Sequence, residues 1–524
     1  MRRFSFLLST VRSSSRFYSN RVGAVSAGKP FRVFNFQENA SFISRQQNSY
    51  FSSSLMNSDP VHFSSTIYKE NKESERLEVE IISKENIKPT APTPHHLKTY
   101  EVSIFDQIYP KNLYTSFVYF YHNNQINNHD LISKRRHILK QSLSEILTKF
   151  YPLAGKVHDR HIDCNDDGVY YVEAKVNDCL TDVIDQPDNK SIHQFLPFDP
   201  LSSELLSQTY AVMVQVTAFS CGGIAVGIYT SQKIIDSYSH NTFLAAWAAA
   251  AGGKISEQIN PNFTSPLIFP PISTLPDSKR MMIPMTQERR RNCTTRRFFF
   301  SASSLISLKK KAGPSSTRVM AVTGLIWKCA IEASRKLRPS TSKHHAMLFP
   351  IDLRSKSSPP LPPYCIGNMA ITTNSICASN DDARLHSLVE KLKNEDDQVD
   401  SEFIEKLKGE EGSRNIEDSL LDEEDYDHKK DVEITSVTNM CNGMMYEINF
   451  GWGRPIYVSV GDGEPYAPFM KNSVILMDTI YRDEIEAWVT LSEDDMTVFE
   501  EDPNLLSFAS LNPSPLESFS YWLR

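Results

Sequence analysis

The chain has 524 residues, of which 40% are hydrophobic and 23% charged, and its formal net charge is −7. A chain of this length exceeds one ordinary hydrophobic core, so we expect two domains with appendages. The negative charge argues against a nucleic-acid-binding protein, which needs a basic face. The longest apolar run, residues 243–251, is far shorter than the roughly 20 residues of a membrane-crossing helix. The eight cysteines form no CxxC pair, so the sequence predicts neither a zinc site nor a disulfide framework.

The first 40 residues are basic and rich in serine. Seven basic residues precede the first acid, Glu38: Arg2, Arg3, Arg12, Arg16, Arg21, Lys29 and Arg32. Such a start is typical of a mitochondrial transit peptide, and residues 16–19 resemble a cleavage site with cutting after Tyr18. A disordered leader and an upstream exon wrongly joined to the gene stay open as alternatives. We predict that the polar stretch up to residue 76 is a linker.

From residue 77 the hydrophobic pattern becomes periodic. Alternation predicts strands at 77–82 and 169–176, and apolar residues at helical spacing predict a helix at 131–150. Two apolar stretches, 210–219 and 224–230, flank a Gly-Gly pair and predict a β-hairpin. An alanine-rich helix is predicted next, over residues 238–251.

Proline then becomes dense within a polar stretch: Pro261, Pro266, Pro270, Pro271, Pro276 and Pro284. Proline at this density disfavours both helices and central strands. We therefore predict a crossover linker over residues 256–294, between an N-terminal domain at 77–255 and a C-terminal domain at 295–524.

The second half mixes strand and helix patterns, which predicts α/β layers like those of the first half. A helix is predicted at 317–337, and strands at 296–302, 347–353, 444–450, 456–460, 474–480 and 485–491. The acidic segment 395–431 is predicted to be a solvated helix and loop. Its carboxylates do not have the spacing around Gly409 and Gly412 that a calcium-binding loop needs.

Seven short segments resemble motifs of one enzyme family, and they occur in that family's order between residues 77 and 516. They are 151–157 (YPLAGKV), 221–225 (CGGIA), 318–328 (RVMAVT with IWK), 352–354 (DLR), 367–368 (GN), 450–455 (FGWGRP) and 485–489 (IEAWV). The family is the plant BAHD acyl-CoA-dependent acyltransferases, and the similarity is greatest to its vinorine-synthase-like branch.

The resemblance implies a fold of two similarly built, mixed-sheet α/β domains, like that of chloramphenicol acetyltransferase, with a channel between them. It also implies a monomer without a metal or a permanently bound cofactor. Acyl-CoA, acetyl-CoA in particular, is the implied co-substrate, and the implied acceptor is a small alcohol or amine of plant specialised metabolism. The implied location is the cytoplasm, whereas residues 1–40 indicate mitochondrial import as the alternative.

The family's HxxxD motif matches residues 232–236, but Gln232 occupies the position of the histidine. In the family mechanism that histidine is the general base for the acceptor hydroxyl, and the aspartate shapes the loop by pairing with an arginine. Asp236 matches the aspartate, and Arg354 is its candidate partner. Asp236 is also placed to cap the following helix, worth about 1 kcal/mol, and both interactions can hold. A glutamine amide cannot take a proton near neutral pH, which removes a contribution of about 10²–10⁴ in rate.

Further family signatures are also altered. Thr438 matches a threonine near the reacting carbonyl, with an ordinary strand residue as the alternative. Asn439-Met440 stands where relatives have Ser-Trp, so an indole donor for the oxyanion is missing. The family's DFGWG motif, mainly architectural, is present as Asn449, Phe450, Gly451, Trp452 and Gly453. His240 is expected to be a partly exposed helical residue rather than a substitute base.

These substitutions leave three hypotheses. The first is an acyl-CoA-dependent O-acyltransferase that is slow or uses an acceptor needing little base assistance. The second is a catalytically disarmed homologue that binds acyl-CoA or a metabolite. The third is the product of a pseudogene, although the intact fold motifs favour a protein that still folds.

Overall fold

The structure is a computed structural model that describes residues 77–519. Its description has gaps at 112, 124–128, 186, 188, 198–208, 254–258, 274, 276–292, 341–342, 422–431 and 462–471. The predicted leader and linker over residues 1–76 therefore lie outside the described residues. So do most of the proline-rich linker and the last acidic run at 422–431.

The described chain alternates between strands and helices. The strands are β1 Val79–Ile87, β2 Thr99–Glu101, β3 Tyr114–Tyr121, β4 Lys156–Val157, β5 His161–Asp163, β6 Val169–Val176, β7 Val212–Phe219, β8 Ile224–Ser231, β9 Cys293–Phe300, β10 His344–Asp352, β11 Ala370–Cys377, β12 Val432–Asn439, β13 Tyr457–Val460, β14 Ser473–Asp478, β15 Ile485–Ser492 and β16 Ser510–Leu511. The helices are α1 Ile104–Gln107, α2 His129–Leu147, α3 Leu180–Asp185, α4 Asn189–His193, α5 Ser237–Ala251, α6 Ser265–Ile268, α7 Ala302–Ala312, α8 Arg318–Leu337, α9 Leu385–Gln398, α10 Ser401–Glu405, α11 Gly409–Leu421, α12 Glu493–Phe499, α13 Pro503–Leu506 and α14 Pro515–Phe519. Short 3₁₀ turns occur at His95–Leu97, Tyr151–Ala154 and Met445–Glu447.

Two large mixed sheets form the two halves of the molecule. The first has six strands in the order β1-β6-β7-β8-β3-β13, and the second has seven in the order β11-β10-β12-β14-β15-β9-β16. A smaller sheet, β2-β5-β4, stands beside the first. Each large sheet has its own hydrophobic core, in which α2 and α5 cover the first sheet and α8 belongs to the second. This is the predicted α/β fold of two mixed-sheet halves.

The strongest periodic signals in the sequence are confirmed. The predicted hairpin is β7 and β8, with Gly222 at φ 81° in its turn, a conformation that favours glycine. The helices predicted at 131–150, 238–251 and 317–337 are α2, α5 and α8. Residue 302, predicted to end a strand, instead begins α7, because the side chain of Ser301 accepts the backbone N–H of Ser304 as a helix cap.

The strand predicted at 444–450 is wrong. The segment forms a 3₁₀ turn and irregular chain instead. Its apolar side chains other than that of Met444 are buried, but they reach the core of the first half from a loop. Phe450 packs edge-on against Trp247 at 4.9 Å between ring centroids.

The loop at 444–456 leads into a strand that crosses between the halves. β13 comes from the predicted C-terminal domain, yet it pairs antiparallel with β3 at the edge of the first sheet. The boundaries at 77–255 and 295–524 stay a prediction, and this strand is the part of the second range that lies in the first sheet.

The acidic segment is only partly solvated. Phe403, Ile404, Leu407 and Ile416 are buried in the second core. The prediction of a solvated helix is therefore wrong for this apolar side of α10 and α11. Within the described ranges, no helix is both long and apolar enough to cross a membrane.

The turn at Asn449 supplies the first test. Its side-chain Oδ1 accepts the backbone N–H groups of Gly451 at 2.9 Å and Gly453 at 3.0 Å. We expect Asn449→Ala to lower the free energy of unfolding by about 1 kcal/mol, as for a lost cap. Asn449→Asp, which keeps an acceptor oxygen, should lie within about 0.5 kcal/mol of the wild type by urea denaturation. An Ala variant as stable as the Asp variant would contradict this role.

Candidate active site

A cavity of about 1550 Å³ lies between the two halves. Its lining combines β3, the end of β8 and α5 from the first half with α7, α8, β10 and β12 from the second. Gln232, Asp236, Arg354 and Thr438, the residues predicted to form the site, all line it. The fold therefore brings together side chains that are up to 206 positions apart in the chain, counting from 232 to 438.

Gln232 lies directly after β8, where the chain turns towards α5. Its backbone N–H donates to the carbonyl of Leu113 at 2.9 Å. Its side-chain Nε2 donates to the hydroxyl oxygen of Thr115 on the neighbouring strand. In this arrangement the amide oxygen is left to accept a hydrogen bond, whereas no atom of the side chain can take a proton near neutral pH.

The buried carboxylate of Asp106 is connected to the Gln232 loop through Asn368. Asn368 donates from its Nδ2 both to the carbonyl of Gln232 at 2.8 Å and to Asp106 at 2.8 Å. Asp106 also accepts the N–H of Asn368 at 2.7 Å and two hydrogen bonds from Ser103. Burial raises the pKa of Asp106, and these hydrogen bonds oppose that shift. Asn368, on a segment before β11, thus connects the loop to α1.

Comparison with the family motifs does not identify Asp106, although a local sequence pattern marks it. Ser103 and Asp106 form a capping box at the start of α1, with both reciprocal hydrogen bonds present. The Ser-x-x-Asp spacing marks such a box, whereas its connection to Asn368, 262 positions away, depends on the tertiary fold.

Asp236 and Arg354 form an ion pair across the two halves. Arg354 Nη1 lies 2.6 Å from Asp236 Oδ2, and both side chains are about nine-tenths buried. The second nitrogen, Nη2, donates to the carbonyls of Cys365 and Gly367 at 3.0 Å. Burial by itself lowers the pKa of the guanidinium, but the contacts with Asp236 outweigh burial and raise it.

Asp236 also caps α5, so its two proposed structural roles occur together. Its Oδ1 accepts the N–H of Ser239 at 2.9 Å, and its Oδ2 accepts the N–H of Met369 at 3.1 Å. One carboxylate therefore holds the start of α5 against the chain that leads into β11.

The far wall of the cavity is formed at the end of β12. Thr438 is half-buried, and Met440 is buried and lines the cavity. Arg318 Nη2 donates both to the side-chain Oδ1 of Asn442 at 3.0 Å and to Asp478 at 2.6 Å. The thioether of Met440 offers no strong hydrogen-bond donor for an oxyanion, whereas an indole would.

His240 is placed differently from the prediction. It is 2% exposed, so the expected partly exposed histidine is wrong. Its Nε2 lies 3.0 Å from the hydroxyl of Tyr119, and its Nδ1 lies 3.2 Å from that of Thr230. Burial lowers the pKa of His240 to about 3, so the ring is neutral at physiological pH. Because residues 237–242 of α5 are mainly polar and residues 243–251 are all apolar, the sequence pattern does not distinguish the face that meets the cavity.

A group of metal-ligating side chains in the described part of the chain lies away from the cavity. The ligand atoms of Cys329, Glu332 and Asp502 lie within 4.8 Å of one another. Burial raises the pKa of the Cys329 thiol, and Glu332 is paired with Lys328. A protonated thiol and a neutralised carboxylate are poor ligands, so we assign no metal to this group.

The five-residue motif around Phe450 is not part of the cavity lining. Gly451 and Gly453 have φ angles of 105° and 117°, which suit glycine in a tight turn. Phe450 packs among Tyr121, Trp247 and Trp452. The motif thus joins the second half of the chain to the core of the first, at a distance from the cavity.

Two mixed-sheet halves around a cavity, with a loop at the end of β8 that carries a paired aspartate, define the chloramphenicol-acetyltransferase-like fold class. The chain belongs to the plant BAHD acyltransferases: the model described as the Transferase family matches residues 77–506.

Three comparisons support this membership. Limonoid 7-O-acetyltransferase from Citrus sinensis is 35% identical, with 84% of this chain and all of the relative covered. Vinorine synthase from Rauvolfia serpentina is 32% identical, over 80% of this chain and 96% of the enzyme. The crystal structure of vinorine synthase superposes with a TM-score of 0.71 at 29% identity, covering 84% of this chain and 100% of that structure.

Loss of the buried ion pair supplies the second test. We expect Arg354→Met to lower the free energy of unfolding by about 3–5 kcal/mol, because Asp236 is left buried without its partner. Asp352→Asn is the matched control, since this half-exposed carboxylate contacts the same guanidinium at 3.3 Å and should contribute less than about 1 kcal/mol. Equal melting temperatures for Arg354→Met and the wild type would show that the pair contributes nothing.

The buried imidazole supplies a test of pH dependence. The folded pKa of His240 lies below the unfolded value near 6.5, so the unfolded chain binds the extra proton first as pH falls. Stability is therefore lost below about pH 6.5, and the loss from this residue reaches about 2 kcal/mol at pH 5. In His240→Gln, the difference in unfolding free energy between pH 7.5 and pH 5 should shrink by about this amount. An unchanged difference would contradict the buried neutral state.

Proposed function

We propose that this chain is an acyl-CoA-dependent O-acyltransferase that transfers an acetyl group to an alcohol of plant specialised metabolism. The observation that carries the proposal is the cavity between the halves, with the Gln232 loop held in place by Asp106, Asn368, Asp236 and Arg354. Relatives named as 7-O-acetyltransferases point to the acyl group and to oxygen as the acceptor atom.

In the proposed reaction the acceptor oxygen attacks the thioester carbonyl, and the thiolate of coenzyme A leaves. Gln232 orients the acceptor: its amide oxygen accepts a hydrogen bond from the hydroxyl, because its Nε2 is engaged with Thr115. Thr438 is the candidate contact near the reacting carbonyl. Holding both reactants in one geometry accelerates the reaction even without proton transfer to residue 232.

A binding protein without turnover is the second candidate function. Gln232 cannot serve as a base, and Met440 offers no strong donor to an oxyanion. Acyl-CoA or a metabolite would then occupy the same cavity. We propose a monomer that acts in the cytoplasm, and residues 1–40 keep mitochondrial import open as the alternative.

Turnover of acetyl-CoA separates the two candidates. The full chain is incubated with acetyl-CoA and a panel of alcohols and amines that includes limonoid alcohols, and the release of free thiol is followed. We expect slow turnover by the wild type, about 10²–10⁴-fold more by Gln232→His at pH 8, and less than the wild type by Gln232→Ala.

The pattern of results identifies the function. Turnover by Gln232→His alone indicates a disarmed homologue that still binds both substrates. If calorimetry detects no binding of coenzyme A to either form, the transferase and the acyl-CoA-binding protein are both excluded.

A further inference from the structure

The titratable side chain of His240 lines the cavity and lies outside the Gln232 loop. His240, in the first turn of α5, packs against the ring of Phe117 at 5.1 Å between centroids. Its two ring nitrogens meet two hydroxyl groups, one on β8 and one on β3: Thr230 at 3.2 Å and Tyr119 at 3.0 Å. Both His240 and Thr230 line the cavity.

The strand register places this histidine beside the reacting region. Thr115, which holds Gln232, and Thr230, which meets His240, are directly opposite each other in the β3–β8 ladder. Side chains opposite each other share one face of a sheet, with Cβ atoms about 4.5–5.5 Å apart. An acceptor hydroxyl held by Gln232 above Thr115 is therefore within reach of the Thr230 hydroxyl as well.

Both ring nitrogens of His240 have a hydroxyl partner, while burial lowers the pKa of the ring and keeps it neutral before the reaction. In the tautomer with its proton on Nε2, the ring donates to Tyr119 and Nδ1 accepts from Thr230; in the other tautomer the two roles are reversed. After protonation, each of the two N–H groups has a hydroxyl oxygen to donate to. Burial raises the pKa of Tyr119 well above its usual value, so Tyr119 stays protonated. The carboxylate that caps α5, Asp236, is engaged by Arg354.

We propose that His240 is the proton acceptor of the transfer reaction, reached through the hydroxyl of Thr230, and that it performs the task that Gln232 cannot. This inference rests on the proposed function. The acceptor O–H bond breaks as its oxygen bonds to the thioester carbon. The acceptor proton passes to the Thr230 oxygen while the proton of Thr230 passes to His240 Nδ1. The C=O electron pair moves to the carbonyl oxygen.

The second half of the reaction returns the proton. Collapse of the tetrahedral intermediate re-forms the C=O bond and breaks the C–S bond. The coenzyme A thiolate then takes from His240, through Thr230, the proton that came from the acceptor hydroxyl. The products are the ester and coenzyme A, and His240 is again neutral. The imidazolium and the oxyanion carry opposite charges in one cavity, so their attraction opposes the cost of placing a charge in a buried site.

A double-mutant cycle tests the proposal with the full chain, acetyl-CoA and the best acceptor of the panel. We expect His240→Gln to lower kcat about 10²-fold, the low end for a general base, while Gln232 is present. In the Gln232→His background, where residue 232 can accept the proton, the same change should lower kcat less than about threefold. A merely structural histidine gives the same fold-loss in both backgrounds, which would overturn the proposal.

Variants of Thr230 and a second buried histidine complete the test. Thr230→Val should lower kcat as much as His240→Gln does, and Thr230→Ser, which keeps the hydroxyl, should stay within about threefold of the wild type. His345→Gln is the matched control, since His345 is also buried but does not line the cavity, and it should leave kcat unchanged. Melting temperatures and coenzyme A binding identify variants that lose kcat by unfolding.

The outcomes separate this inference from the proposed function. If the wild type turns over acetyl-CoA and His240→Gln has the same kcat, the role of His240 is overturned and the proposed transferase function stands. No turnover by the wild type, with turnover by Gln232→His, overturns both.

Discussion

The buried pair of Asp236 and Arg354 is the interaction on which the site depends. It joins the start of α5 in the first half to the end of β10 in the second, at the wall of the cavity. Asp236 also caps α5 and receives the N–H of Met369. Since α5 carries His240 and follows the Gln232 loop, one carboxylate determines where both side chains meet the cavity. The desolvation of this carboxylate is offset by a guanidinium whose two Nη atoms donate to six acceptor atoms.

A second interaction that holds the site uses an uncharged side chain, the amide of Asn368. Asn368 uses its amide to connect the Gln232 carbonyl with the buried Asp106. An amide can donate to both oxygens at once, so it fixes the loop without placing another charge in the cavity wall. The backbone of residue 232 is thus held independently of its side chain. The backbone contacts of residue 232 therefore do not depend on which side chain it carries.

The sequence predicts the fold and the loop better than it predicts the chemistry. Alternation and helical spacing locate β6, the β7–β8 hairpin and α8, because burial on one face imposes these periods. Family motifs select Asp236 and Arg354, which the structure places 2.6 Å apart. Burial of His240 could not be predicted from the sequence of α5, because residues 237–242 are mainly polar and show no apolar stripe that would mark a buried face. The strand predicted at 444–450 is wrong because most of its apolar residues belong to a loop that packs against the core. Periodicity alone cannot distinguish such a loop from a strand.

The pairing of β13, which comes from the second half of the chain, with β3 of the first sheet affects folding during synthesis. β3 has β8 on one side and β13 on the other, and β13 ends at Val460. Because synthesis proceeds from the N-terminus, β3 remains an open sheet edge until more than three hundred further residues have left the ribosome, counting from 121 to 460. An apolar edge exposed for that long invites pairing with other chains. Folding of the first half therefore waits for the second, and expression of either half alone should yield aggregation-prone protein.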